Sequence, residues 1–242
     1  MKRLLPIAAI ALLAGCNFSS SDDRETRDAG PAVARQYQVG AFDRIAVAGP
    51  YEVSVVTGAQ PGVSASGGEA VLAETDISVE DGVLKIKPKS KKGIRWNWGN
   101  SGKVMVKVTT AALRGAEIAG SGGVTIDRVA GGDFKGEVAG SGDLMIAAVD
   151  AGAVEFSIAG SGNVRAAGKA QRVEVNIAGS GDVDLATLEA ATADISIAGS
   201  GKVRARATAT ADVTIMGSGD VAISGGAKCN VSKNGSGNVT CQ

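Results

Sequence analysis

The sequence predicts an all-β solenoid, a parallel β-helix with about 18–20 residues per coil. Three observations carry that reading. Gly-Ser-Gly recurs seven times in one frame: Gly120-Ser121-Gly122, Gly140-Ser141-Gly142, Gly160-Ser161-Gly162, Gly179-Ser180-Gly181, Gly199-Ser200-Gly201, Gly217-Ser218-Gly219 and Gly235-Ser236-Gly237. The copies are spaced 20, 20, 19, 20, 18 and 18 residues apart. Each is flanked by short runs alternating apolar and polar residues, the signal of a half-buried strand. Such runs are Val175-Asn176-Ile177 before the triplet and Val183-Asp184-Leu185 after it.

The bulk composition agrees. Of 242 residues, 44% are apolar, 35 are glycine, and only 3% are aromatic. A core of Val, Ile, Leu and Ala with abundant glycine suits short strands and tight turns.

The first residues read as an address. Met1-Lys2-Arg3 is a basic start, and residues 4–13 form an apolar run too short to cross a bilayer. Leu13-Ala14-Gly15-Cys16 follows and resembles the lipobox of bacterial lipoproteins. The resemblance implies cleavage after residue 15, acylation of Cys16, and a membrane partner held through that lipid. Asn17 stands where an Asp would favour inner-membrane retention, so the resemblance implies the outer membrane, in the cell envelope. Removing residues 1–15 leaves 23 basic and 25 acidic residues, a net charge of −2. A nucleic-acid partner needs a concentrated basic footprint and is not expected. Residues 16–37 are polar and aperiodic and read as a flexible tether.

Residues 38–110 are strand-like but weakly repetitive, with strands expected at 44–47, 51–56, 62–66, 77–79, 83–87 and 103–108. Asp81-Gly82 is a hairpin signal. Terminal solenoid units must close an open edge, so this stretch reads as an irregular cap and first coils. Residues 111–242 form the repeats. A unit of about 20 residues cannot bury its own face, whereas coils stacked at about 4.8 Å can, and six intervals give a rod of about 29 Å. A left-handed hexapeptide helix loses its frame at the 19- and 18-residue spacings. A β-sandwich also alternates but gives no reason for a constant Gly-Ser-Gly frame.

The triplet itself reads as a structural turn. A corner this tight needs positive φ or the absence of a Cβ, and glycine also lets neighbouring coils approach. The seven serines should form a ladder whose hydroxyls satisfy turn backbone groups. Asp or Asn follows five of the triplets, at Asp143, Asn163, Asp182, Asp220 and Asn238. Calcium-binding rolls place the acid one residue further on, and Gly123 and Lys202 interrupt the column, so a metal is not expected.

Further along, Phe42-Asp43-Arg44-Ile45-Ala46-Val47, then Tyr51-Glu52-Val53-Ser54-Val55, Asp81-Gly82-Val83-Leu84-Lys85-Ile86 and Val104-Met105-Val106, lead into the glycine-rich coils. This order resembles the GIN head domain family, described as heads of autotransporter adhesins, over residues 38–242. The resemblance implies a right-handed parallel β-helix on secreted or surface-anchored bacterial proteins. It carries over no catalytic residues.

Two sets of side chains stand out as sites. Cys229 and Cys241 lie an even count from Val231 and Val239, which places both on the inward face of the last coil. An oxidising compartment favours their pairing. The second set is Lys91, Lys92, Arg95, Trp96 and Trp98, beside Lys87 and Lys89, which holds both tryptophans of the chain. Exposed Trp rings stack on sugars or sit at membrane interfaces, and the cations could meet an anionic glycan or other envelope component. The competing reading is a Trp pair packed over a coil with lysines guarding an edge.

Histidine is absent, so a Ser-His-Asp or Cys-His site cannot be built. No cofactor is expected. The leading functional reading is a non-catalytic, envelope-anchored adhesin or binding protein. A periplasm-facing scaffold lipoprotein is the runner-up, and a polysaccharide-active enzyme using carboxylates is the third. The sequence sets no oligomeric state.

Overall fold

The structure is a computed structural model that describes residues 29–89 and 103–242. It is a parallel β-solenoid with a mixed cap. The cap and first coils contain β1 (Ala32–Tyr37), β2 (Arg44–Ala48), β3 (Tyr51–Thr57), β4 (Gly62–Gly68), α1 (Glu69–Ala73), β5 (Thr75–Glu80), β6 (Val83–Pro88) and β7 (Val104–Thr110). The repeats begin with β8 (Gly115–Gly120), β9 (Gly123–Ile126), β10 (Val129–Ala130) and β11 (Phe134–Gly140). Then β12 (Asp143–Gly160), β13 (Asn163–Gly179), β14 (Asp182–Gly199) and β15 (Lys202–Gly217) each run a whole coil, bending midway. The stack ends in β16 (Asp220–Ser224), β17 (Lys228–Gly235) and β18 (Val239–Cys241).

Apart from local slips, the residues of a coil lie over their equivalents in the next. Val175 pairs with Phe156 and Ile195, and Ile177 with Ile158 and Ile197. These inward columns are buried as far as Val213 and Ile215 of β15. Register slips occur between Ile146 and Val149 and between Leu185 and Glu189, on the side away from Gly-Ser-Gly. Length differences between coils are absorbed there, so the corner stays in frame. Where one column changes size, its neighbour compensates. Gly136 lies over Phe156, whose Cδ1 would sit 2.9 Å from a Cβ at 136.

The corner explains its own composition. At Gly179 φ is 137°, a region L side chains avoid, and a Cβ there would overlap the carbonyl of Gly160 beneath it. At Gly181 a Cβ would lie 2.8 Å from Cγ2 of Ile158. The ladder is made by main chain. The Ser180 N–H donates to the Gly160 oxygen at 2.8 Å, and the other five stacked serines repeat this at 2.8–3.0 Å. The serine hydroxyls, expected to serve the turn, instead face solvent and make no hydrogen bond to protein. Once the N–H of each serine is used across the coils, no turn group is left for its hydroxyl.

The cap is partly as expected. The predicted strands and the Asp81-Gly82 hairpin are present, with φ of 53° and 74° at the two turn residues. Strands β2 and β3 stack in parallel on β8 and β9, and β6 and β7 stack on β2 and β3. An eighth corner, not expected from the repeat pattern, lies at Gly49-Pro50, where Gly49 has φ of 123° and its N–H donates to the Ala119 oxygen at 2.8 Å. Strand β5 pairs antiparallel with β6, β4 with β7, and β1 with β4. Helix α1 buries Val71 and Leu72 among them. The tether expectation is corrected at its end, because residues 32–37 are strand rather than flexible chain. The alternation of half-buried Val33, Arg35 and Tyr37 along β4 is too short and polar to stand out in sequence.

At the other end no further coil follows, yet the inward columns continue. Cys229 lies over Ala211, Val231 over Val213, and Cys241 over Ile223. The predicted disulfide is present, joining Cys229 to Cys241 across the interior with Cα atoms 6.6 Å apart. Lys233 takes the place of Ile215 in an inward column and donates to the Gly237 oxygen at 2.7 Å. An inward-pointing charge on an edge strand discourages strand addition. Replacing Cys229 and Cys241 with Ser should lower the melting temperature by about 5–10 °C, from the closure entropy of this short loop, while far-UV circular dichroism stays β-rich. Two reactive thiols on the unreduced parent protein would contradict the bridge.

Candidate functional site

The outward columns of the strands before each corner form one continuous face. The innermost of these, next to the corner, reads Ala48, Ala119, Ala139, Ala159, Ala178, Ala198 and Met216, matched rung by rung. With side chains this short, the face is hollowed into an open trough of about 560 Å³, floored by Ala139, Ala159, Ala178 and Ala198. Hollows around Ala46, Glu117 and Ala119 extend it toward the cap. Met216 is 59% exposed at the far end.

A third outward column runs beside the trough and is charged. It reads Arg44, Gly115, Lys135, Glu155, Glu174, Asp194 and Asp212. Its cap end is basic and its other end acidic. Lys135 bonds Glu137 at 2.8 Å and Glu155 at 3.1 Å. Asn176 donates to Glu174 at 2.9 Å, and Asn230 to Asp212 at 2.8 Å. Partial burial, and then the facing carboxylates of Glu174 and Asp212, push the Asp194 carboxyl above its ordinary range. The four acids each stand five residues before the first glycine of a triplet, so the same spacing that revealed the corners would have revealed this ladder.

On the other side of the corner, the Asp/Asn column does structural work. Asp143 accepts from Asn163 Nδ2 at 2.8 Å, Asp182 from the Lys202 N–H at 3.0 Å, and Asp220 from the Asn238 N–H at 3.1 Å. Each carboxylate thus ties its corner to the coil above.

Cys16, Lys91, Lys92, Arg95, Trp96 and Trp98 lie outside the described residues. The flanks of the tryptophan segment do have positions. In sequence it lies between β6 and β7, which stack on β2 and β3. Two lysines of the run are held by the cap: Lys87 lies 3.7 Å from Asp76, and Lys89 donates to the Ala73 oxygen at 2.7 Å.

The acidic ladder sets a pH dependence. A carboxyl whose folded-state pKa is raised stabilises the fold while protonated, and that contribution is lost as pH rises through the raised value. Asp194→Asn should therefore raise the melting temperature at pH 7 by about 1–3 °C, the scale of removing a like-charge cross-strand contact. The gain should vanish in acid below the ordinary aspartate range. A thermal melt series across pH checks it, and an equal gain at both extremes would contradict the ladder repulsion.

The fold recurs among solved structures. A "putative adhesin" from Bacteroides fragilis superposes with a TM-score of 0.80 at 21% identity, over 88% of this chain and 97% of that one. A "putative lipid binding protein" from Parabacteroides distasonis gives 0.69 at 25% identity, over 88% and 97%. A "putative adhesin" from Parabacteroides merdae gives 0.68 at 18% identity, over 89% and 98%. No curated protein matches the chain. Residues 41–227, most of the described solenoid with its cap, match the family "Putative auto-transporter adhesin, head GIN domain", and the chain belongs to that family.

Proposed function

We propose that the chain is a non-catalytic adhesin of the cell envelope, anchored through a lipid on Cys16 and binding an anionic glycan through the segment that carries Lys91, Lys92, Arg95, Trp96 and Trp98. One observation carries the binding part of this reading. Residues 89–103 span fifteen positions between β6 and β7, where a repeat corner such as that between β12 and β13 spans two. Elsewhere among the described residues the repeats confine their length variation to slips of a few residues, so the sequence between β6 and β7 is long by comparison. It brings both tryptophans and an arginine, the residue types that dominate interaction hot spots. Family membership and the adhesin-like neighbours support the adhesive role.

The mechanism needs no moving part. The strands that flank the segment, β6 and β7, belong to the first coils of a rigid stack. Trp faces supply stacking area for sugar rings, and the cations supply long-range attraction that salt screens.

Cys16→Ser should abolish the acyl label and leave the protein either as an unprocessed precursor or released from the membrane fraction; unchanged fractionation with the label still present would contradict the anchor. With the anchor intact, protease should reach the solenoid on whole cells; full protection there would favour the periplasmic scaffold. Trp96→Ala with Trp98→Ala should weaken binding to immobilised anionic polysaccharide about tenfold without changing circular dichroism. Anionic lipid vesicles serve as the comparison surface. A folded double variant that binds as the parent does, in low and high salt alike, would overturn the proposal.

A further inference from the structure

The trough face is complementary to itself in charge. We propose that it is the interface of a homodimer in which two solenoids pack face to face with antiparallel axes, related by a two-fold axis passing through the rung of Ala159.

The argument starts from the register. Ala159 is the middle rung of the column from Ala48 to Met216, with three rungs on either side. A two-fold axis in the plane of the face, along the strands at this rung, lays each outward column over the same column of the second copy, reversed. Ala159 then meets Ala159, Ala139 meets Ala178, and Ala119 meets Ala198. Met216 meets Ala48, so the one bulky apolar side chain of the column falls on one of its smallest. That placement removes Met216, 59% exposed in the single chain, from water.

The charged column selects the antiparallel arrangement. Reversed about the same rung, Arg44 of one copy lies over Asp212 of the other and Lys135 over Glu174, while Glu155 meets its own copy on the axis, each carboxylate paired within its chain to Lys135 at 3.1 Å. The polar column between them reads Glu117, Glu137, Ser157, Asn176, Ser196 and Thr214, and opposes Glu137 to Asn176 and Glu117 to Ser196. A parallel arrangement, with its two-fold along the stack, instead lays the charged column over the alanines, where it finds no partner, and the polar column on itself, Glu117 on Glu117 and Glu137 on Glu137; like-charge contact across an interface costs several kcal/mol. The basic groups are available for this, because the ion pairs of Arg44 with Asp43 and of Lys135 with Glu137 are exposed.

The area suffices. Six rung intervals and three outward columns define a patch of about 29 by 20 Å, burying about 1,200 Å² over both partners, at the lower limit of specific stable interfaces. Such an interface is isologous and closed, as most homodimers are. The dimer proposal rests on none of residues 89–103, so dimerisation and the proposed binding can succeed or fail separately.

The test uses the full-length chain carrying Cys16→Ser, with its disulfide intact, so that an introduced thiol is the sole free one. Sedimentation equilibrium should give twice the chain mass at low salt, with the dissociation constant rising about tenfold on going from 0.05 M to 0.5 M salt. Ala159→Cys should oxidise to a covalent dimer. Ala119→Cys and Ala198→Cys should each stay monomeric alone and cross-link when mixed. Arg44→Glu and Asp212→Lys should each weaken the dimer, and the two together should restore it. Circular dichroism confirms that each variant is folded. A monomer at every concentration up to the millimolar range would overturn the proposal. So would a parent dimer in which Ala119→Cys links to itself as readily as Ala159→Cys.

Discussion

Backbone-on-backbone stacking at one corner governs this molecule. From the second triplet on, the first glycine sits on the carbonyl of the glycine below, at a φ that excludes side chains, and the following serine N–H closes a hydrogen bond to that same oxygen. No side chain intervenes, so the coils meet at the spacing of a β-ladder. Any Cβ would push them apart and break the register on both flanking strands. The requirement is geometric rather than chemical, which is why glycine is invariant at the triplet ends within this chain.

With the corner fixed, the rest follows by alternation. Inward positions fall over inward positions and become continuous aliphatic columns, with Ile158, Ile177, Ile197 and Ile215 making one of them. Each coil buries its apolar face only through its neighbours, so stability is shared along the stack. The same register lines up outward residues, with benefits and costs. Asp143, Asp182 and Asp220 knit one coil to the next, whereas Glu174, Asp194 and Asp212 are forced into like-charge contact. A column that costs stability and is partly relieved by Asn176 and Asn230 is a feature of the surface rather than of the core.

The ends solve the problem that stacking creates. A solenoid presents open sheet edges, and the two ends are treated differently. At the first coils, antiparallel strands and a five-residue helix cover the core. At the last, a disulfide crosses the interior and Lys233 occupies an isoleucine position. Covering with chain at one end and with chemistry at the other leaves the faces, not the edges, as the surfaces available to partners.

The repeats were legible in sequence because glycine marks every corner and strand alternation surrounds it. The disulfide was legible because counting by two from Val231 and Val239 keeps phase in a strand. The cap was only half legible. Gly49-Pro50 departs from the triplet, helix α1 has five residues, and β1 alternates for barely three positions, so each is below the length at which periodicity speaks. The trough and acidic ladder were hidden differently: they exist only across coils, and each alanine or acid taken singly is unremarkable. The most direct test of the central claim compares two neighbours in one corner. Gly179→Ala should destabilise the solenoid by several kcal/mol, since backbone must shift to admit a Cβ at positive φ, whereas Ser180→Ala should melt within about 2 °C of the parent because its hydroxyl bonds nothing. A stable Gly179→Ala protein, or a Ser180→Ala protein that loses more, would contradict the account.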